Sequence, residues 1–274
     1  MEREEKEEQR KQQSLLQAGL AGAQADTVQR YGAAVKEHAV AYTGVDRETG
    51  QKLAKGLKEI SKSKVNPDYR DQNIRQQAGF SAEVKTQARG NAEKAIQNKT
   101  AQRTVRTDDM SKQSDGRGHT IGGKNEQFYD LAEVGRDGTY IEGSGRQLKY
   151  VGSDAKDCCQ KLLGRKFDKY RDADVPIEVP SDFFEDVKKR LEERADALKR
   201  QIDRAEQRGD AALAQKHRDQ LERVEKTKNS LRRGKLTNAE ALEARKHPVL
   251  STVKDAAGGA HRAGVGSAKD GRRC

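Results

Sequence analysis

Residues 142–152 read EGSGRQLKYVG, and the way this stretch folds decides the architecture around it. Gly-Ser-Gly is turn chemistry, and Gln147 to Val151 then mixes polar and apolar side chains as a half-buried strand does. Positions two apart on a strand share a face. Gln147 and Lys149 therefore point one way, and Leu148 and Tyr150 the other. A face carrying an amide and an ammonium is either wet or a site.

Upstream, FYDLAEV (128–134) is a second short strand, and GRDG and GSG lie near the turn that joins it to RQLKYV (146–151). RTVRTDD (103–109) is short and β-branched, which favours a strand. SKQSDGRGHTIGGKNE (111–126) is loop by composition. A helix is predicted from Asp71 to Asn98, with Ile74, Ala78, Val84, Ala88, Ala92 and Ile96 forming its buried stripe. Downstream, DAKDCCQKLLG (154–164) is helical, and Val175, Ile177 and Val179 alternate as a strand.

The flanks are helical. Ser14 to Ile60 shows weak helical spacing, broken into two helices by TGVDRETG (43–50). From Ser181 a narrow apolar seam (Val187, Leu191, Leu198, Ile202, Ala205, then Leu213, Leu221, Val224, Leu231) predicts two antiparallel helices over 182–232 reversing near Gly209, opened by an Asp182/Glu185 capping pair and projecting from the core. LTNAEALEARKHP (236–248) is a short helix with a Thr237/Glu240 capping box, stopped by Pro248; the tail from Ala256 is Gly-, Ala- and Arg-rich. The expected fold is α+β and predominantly helical, a small mixed sheet flanked by helices, with a C-terminal helical hairpin. The expected divisions are 1–63, 64–180, 181–233 and 234–274.

Composition narrows the function. Charged residues make up 36% of the chain, hydrophobic residues 32%, Trp is absent, and the net charge is +11. Residues 61–126 carry 13 Lys+Arg against 8 Asp+Glu, enough to hold a phosphate backbone. Cys158, Cys159 and Cys274 make no disulfide framework, and the five His have no carboxylate or Cys at zinc-ligand spacing. No P-loop and no aromatic RNA-binding stripe is present. A charged start and no membrane-length apolar run lead to the expectation of a cytoplasmic protein without membrane contact.

The order helix, strand, strand, strand, helix, strand over roughly residues 71–180, with Glu83 on the first helix, Asp130 in the second strand and Gln147-x-Lys149 in the third, is similar to the PD-(D/E)xK, restriction-endonuclease-like nuclease superfamily. The resemblance implies that Asp130 and Gln147 bind magnesium or manganese, that Lys149 positions water and offsets charge, and that Glu83 supports from the helix. Gln147 stands where an acidic residue is commoner, and a neutral ligand binds a cation more weakly. Glu133 is a rival to Asp130 on the same strand.

The reading this supports is metal-dependent hydrolysis of nucleic acid, DNA ahead of RNA, in a defence, mobile-element or toxin setting. Arg103, Arg106, Arg117 and Lys124 are its candidate phosphate contacts. The alternative is a non-enzymatic helical adaptor or scaffold that binds a partner through residues 182–232 and its basic surface. Geometry separates the two: in the first, Glu83, Asp130, Gln147 and Lys149 converge, and in the second they scatter.

Overall fold

A long helix, α1 (Glu2–Thr43), opens the chain and ends where Gly44 takes a left-handed φ of 72°. A side chain there would meet the backbone of Gly56, so two glycines let the chain double back on itself. The structure, a computed structural model, describes residues 2–46, 50–124 and 126–258. The second N-terminal helix expected up to Ile60 is only the single turn α2 (Leu57–Ile60). Its Leu57 and Ile60 fill a small cluster with Ala41, Val84, Ala88 and Ala244.

Asn66 and Pro67 form the turn that launches α3 (Arg70–Ile96): the Asn66 side chain accepts from the Asp68 N–H at 3.1 Å. Asn98, at φ 55°, ends the helix by turning left-handed. Helix α3 then lies directly on strand β1 (Gln102–Arg106). A Cβ at Gly90 would stand 2.9 Å from the Thr104 hydroxyl oxygen. Asn91 pairs in both directions with the Thr104 backbone, at 3.0 and 2.8 Å. These contacts fix the height of α3, and hence of Glu83, over the sheet.

The 111–126 loop carries a two-residue hairpin, β2 (Gln113–Ser114) with β3 (Thr120–Ile121). Strand β4 (Leu131–Gly135) begins three residues later than its sequence pattern predicts and pairs antiparallel with β1. Strand β5 is only Gln147–Leu148, bridged to β4 through Leu131 and Arg146. The Gln147 and Lys149 N–H groups both donate across to the next strand, to the Pro176 and Glu178 carbonyls at 2.9 and 2.8 Å. That shared direction is the period-two pattern expected of them.

Asp154 caps α4 (Ala155–Leu162), followed by α5 (Asp168–Asp172) and strand β6 (Ile177–Val179), which runs parallel to β5. Helices α6 (Phe184–Gln207) and α7 (Ala211–Ser230) make the expected hairpin, turning at Gly209 with φ 69°. Three details differ from expectation. Asp182 does not cap α6; its carboxylate accepts from the Asn238 N–H at 2.9 Å. Ala214 fills the seam while Leu213 is 37% exposed. Leu231, expected to extend the helix, instead opens strand β7 (Leu231–Arg233), parallel to β6. Helix α8 (Asn238–Lys246) carries the Thr237/Glu240 capping box in full. Pro248 then starts a further helix, α9 (residues 248–258), because proline is as suitable for a first turn as it is unsuitable for an interior. The tail beyond 258 lies outside the described residues.

The strands form three small sheets, β1–β4, β2–β3 and β5–β6–β7, rather than the single mixed sheet expected, with β4 meeting β5 through the Leu131–Arg146 bridge, and two apolar clusters flank them. On one side Ala132, Cys158, Leu162, Ile177 and Val179 meet Val187, Leu191, Leu198 and Val224 of the hairpin, so the hairpin base belongs to the core and only its tip stands clear. On the other, Leu148 and Tyr150 pack with Ala78, Ala82, Leu131, Leu236 and Ala241. Because β4 runs antiparallel to β1 and, at the Leu131–Arg146 bridge, to the chain entering β5, the end of β1, the start of β4 and the end of β5 lie together at one end of these strands. Among the described residues no helix is long and apolar enough to cross a membrane.

Candidate active site

Asp130 immediately precedes β4 and Lys149 immediately follows β5, which places both at that end of the strands. One carboxylate oxygen of Asp130 accepts the Leu148 backbone N–H at 2.8 Å and the side-chain N–H of Gln147. Gln147 is buried at 4% exposure, and with its nitrogen committed to Asp130 its carbonyl oxygen is left as the acceptor. Lys149 reaches over the Tyr170 ring, with Nζ 4.8 Å from the centroid.

Charge ties these groups to Glu83. Burial pushes the Glu83 carboxyl well above its ordinary range, the Asp130 charge pushes it further, and Arg106 and Lys149 pull against both. Burial likewise raises Asp130, opposed by the charge of Lys149 and the two hydrogen bonds just described. Lys149 is lowered, by burial first; Asp130 and Glu83 resist, while Lys169 and Lys166 add to the lowering. Tyr170 is raised to about 12 by burial and the nearby Asp130. Glu83, Asp130 and Lys149 thus lie within reach of one another's charge, with Gln147 hydrogen-bonded to Asp130, the four drawn from α3, the start of β4 and the end of β5.

Glu133 provides the contrast. It accepts from the Lys94 ammonium, from the Thr104 hydroxyl at 2.9 Å and from Arg146 at 3.2 Å. Burial alone would raise its carboxyl, but those partners bring it below the ordinary range. Glu133 is a satisfied structural acid, whereas Asp130 and Glu83 are acids held against their preference, the condition typical of working sites.

The expected phosphate contacts are only partly accessible. Arg106 is buried in an ion pair with Asp109 at 2.8 Å, and Arg103 pairs with Glu37 at 2.9 Å. Arg106 is enclosed where β1 runs beneath α3, whereas Arg103, near the start of the strand, stays exposed and its pair with Glu37 is weak enough for a phosphate to replace. Arg117 and Lys124 are exposed on the Gly-rich loop. The larger basic surface lies elsewhere. A cleft of about 850 Å³ opens beside Lys149 and Tyr170, lined also by Gln72, Arg75, Gln76, Lys161 and Lys166. Its charged lining residues are all cations. Residues of α3, α4, the 165–167 turn, α5 and the 149–152 stretch build it, so no local motif announces it.

Among the described residues no three His, Cys, Asp or Glu side chains gather as a metal-binding group. The donors present are the Glu83 and Asp130 carboxylates and the Gln147 amide oxygen. An all-oxygen set suits a hard cation such as magnesium or manganese. The two raised carboxyls fit the same cation, since a positive charge between them would offset the repulsion they now bear. In comparison with known proteins, no family model, curated protein or solved structure matches the chain.

Proposed function

We propose that the chain is a metal-dependent nuclease built on a restriction-endonuclease-like core, hydrolysing phosphodiester bonds of DNA at Glu83, Asp130, Gln147 and Lys149. The single observation that carries this reading is their convergence at one end of the strands, beside an open cleft lined by cations.

Each residue has a task that its surroundings support. The Leu148 N–H and the Gln147 amide hold Asp130 in one orientation, leaving its other oxygen and that of Gln147 as ligands. Glu83 adds a second carboxylate from α3. When bound there, magnesium would supply charge neutralisation and an activated water. Lys149, a compact cation on a flexible stem, donates N–H to a non-bridging phosphate oxygen and offsets the charge that grows as the water oxygen bonds to phosphorus. The bridging P–O bond then breaks as the water gives its proton to solvent, and the leaving oxygen takes up one proton from solvent, so that H and OH are added across the bond. Tyr170 holds the Lys149 ammonium over its ring and keeps it from folding back toward solvent.

Incubating the purified chain with plasmid, linear DNA and RNA, with magnesium or manganese and with EDTA, tests the reading. Cleavage that requires the divalent ion supports it; an inert protein under all these conditions removes it.

A further inference from the structure

Helix α3 carries more than Glu83 toward the cleft. Gln72, Gln76, Gly79 and Glu83 fall at i, i+4, i+7 and i+11, which is one stripe along a helix. Gln72 and Gln76 line the cleft. Gly79 sits in the helix interior, where glycine costs roughly 1 kcal/mol relative to alanine. Packing within the chain does not require it, since nothing lies within 4 Å of the place its Cβ would occupy. Beside it, one turn beyond Gln76, Phe80 is 45% exposed. Across the cleft, Lys161 and Lys166 face this stripe from α4 and the turn that follows it. Lys161 shares an exposed pair with Asp157 at 2.7 Å, an interaction weak enough for a phosphate to replace.

We propose that this groove is the track of a single nucleic-acid strand, with the sugar–phosphate backbone passing over Gly79, phosphates on Lys161 and Lys166, and a base stacked on Phe80. The inference rests on the nuclease reading and adds the form of the substrate. The face of Phe80 is the deciding feature. Phe80 lies one turn beyond the lining residue Gln76, at the rim rather than in the lining of the cleft. In a duplex every base face is already covered by its neighbours, so an exposed ring at the rim has nothing to stack against. In a single strand each base offers an open face. Gln72 and Gln76 add amides that can meet the unpaired base edges.

Anisotropy of a labelled short oligodeoxynucleotide, single-stranded or annealed to its blunt complement, tests this with the full chain in EDTA, where no cleavage intervenes. The strand is expected to bind more tightly than the duplex. Phe80→Ala should weaken strand binding roughly five- to hundredfold, the range for loss of one stacked base, and leave the duplex unchanged. Lys161→Ala with Lys166→Ala should flatten the salt dependence by roughly 0.7 per lost contact. Gly79→Leu should keep or raise the melting temperature while weakening strand binding by about tenfold or more. Duplex binding equal to strand binding, or wild-type strand affinity in Phe80→Ala, would overturn the inference. Phe80 is exposed, so that variant stays informative even if Gly79→Leu proves insoluble. Metal-dependent cleavage alongside a failed strand preference would leave the nuclease reading standing without this refinement.

Discussion

Glu83 and Asp130 are held where ionisation is disfavoured, first by burial and, for Glu83, next by the Asp130 charge. An acid whose folded pKa is raised binds its proton more tightly in the folded state. As pH rises from the ordinary carboxylate range toward that raised value, the unfolded chain ionises first and stability falls; below both values there is no penalty. Glu83→Gln is therefore expected to stabilise the protein at neutral pH, by on the order of 1 kcal/mol, while removing cleavage. The gain should shrink as pH is lowered to about 4. Urea melts of both proteins across pH check this, and a variant less stable than wild type at pH 7 would contradict it. Addition of magnesium should raise the wild-type melting temperature more than that of Glu83→Gln, because a ligand stabilises the state that holds it. The Gln147-x-Lys149 spacing was legible in the sequence because period two is a property of any strand. The Asp130 partnership with Gln147 was legible only as a resemblance. Arg106 is buried against Asp109, the last residue of the same RTVRTDD stretch; the sequence places the two close together but does not say that α3 will cover them. Tyr170 was missed because a tyrosine on a short helix, about twenty residues past Lys149, gives no local sign of stacking on it.

Among the elements, α3 is the one on which everything else is positioned. It carries Glu83, lies on β1 through Gly90 and Asn91, and holds α8 and α9 through a buried ion cluster. In that cluster Lys85 meets Asp255 at 3.0 Å, and Arg89 bonds Asp255 at 2.6 Å and Glu240 at 2.5 Å. Asp255→Ala should cost about 3–5 kcal/mol by urea denaturation, because it leaves the buried Lys85 ammonium without its carboxylate and Arg89 with only that of Glu240. A loss below about 1 kcal/mol would show that α9 is held by something else. The hairpin divides differently. Leu198→Ala, in the shared core, should cost about 2–5 kcal/mol, while replacing residues 203–216 with a short turn should leave fold and cleavage intact. Helix existence was readable from periodicity for α3, α4, α6, α7 and α8. Strand lengths were not: β5 has two residues because the bridge to Arg146 and the donors at Gln147 and Lys149 are tertiary facts. Nor was β7, since Leu231 continues a helical seam in sequence and becomes a strand only because β6 offers it an edge.

At the scale of the whole molecule, a chain of net charge +11 sets the half-buried acids Glu83 and Asp130 beside an open cationic cleft, and the proposed function would sit there. On the proposed reading the overall charge would steer polyanions and make binding salt-dependent, while the meeting of α3, β4 and β5 would select the site. Binding and chemistry should therefore separate. Lys149→Ala removes one cation from a groove that also has Arg75, Lys161 and Lys166, so nucleic-acid affinity should change little. The central claim is that Lys149 acts on the reacting phosphate, and it is tested most directly by the rate of DNA cleavage in magnesium for wild type and Lys149→Ala, with EDTA controls. Wild type should cleave only with the divalent ion, and Lys149→Ala should fall by about a hundredfold or more while melting at a temperature no lower than wild type. Full metal-dependent cleavage by Lys149→Ala would contradict the account and return Gln147 and Lys149 to an ordinary wet strand face.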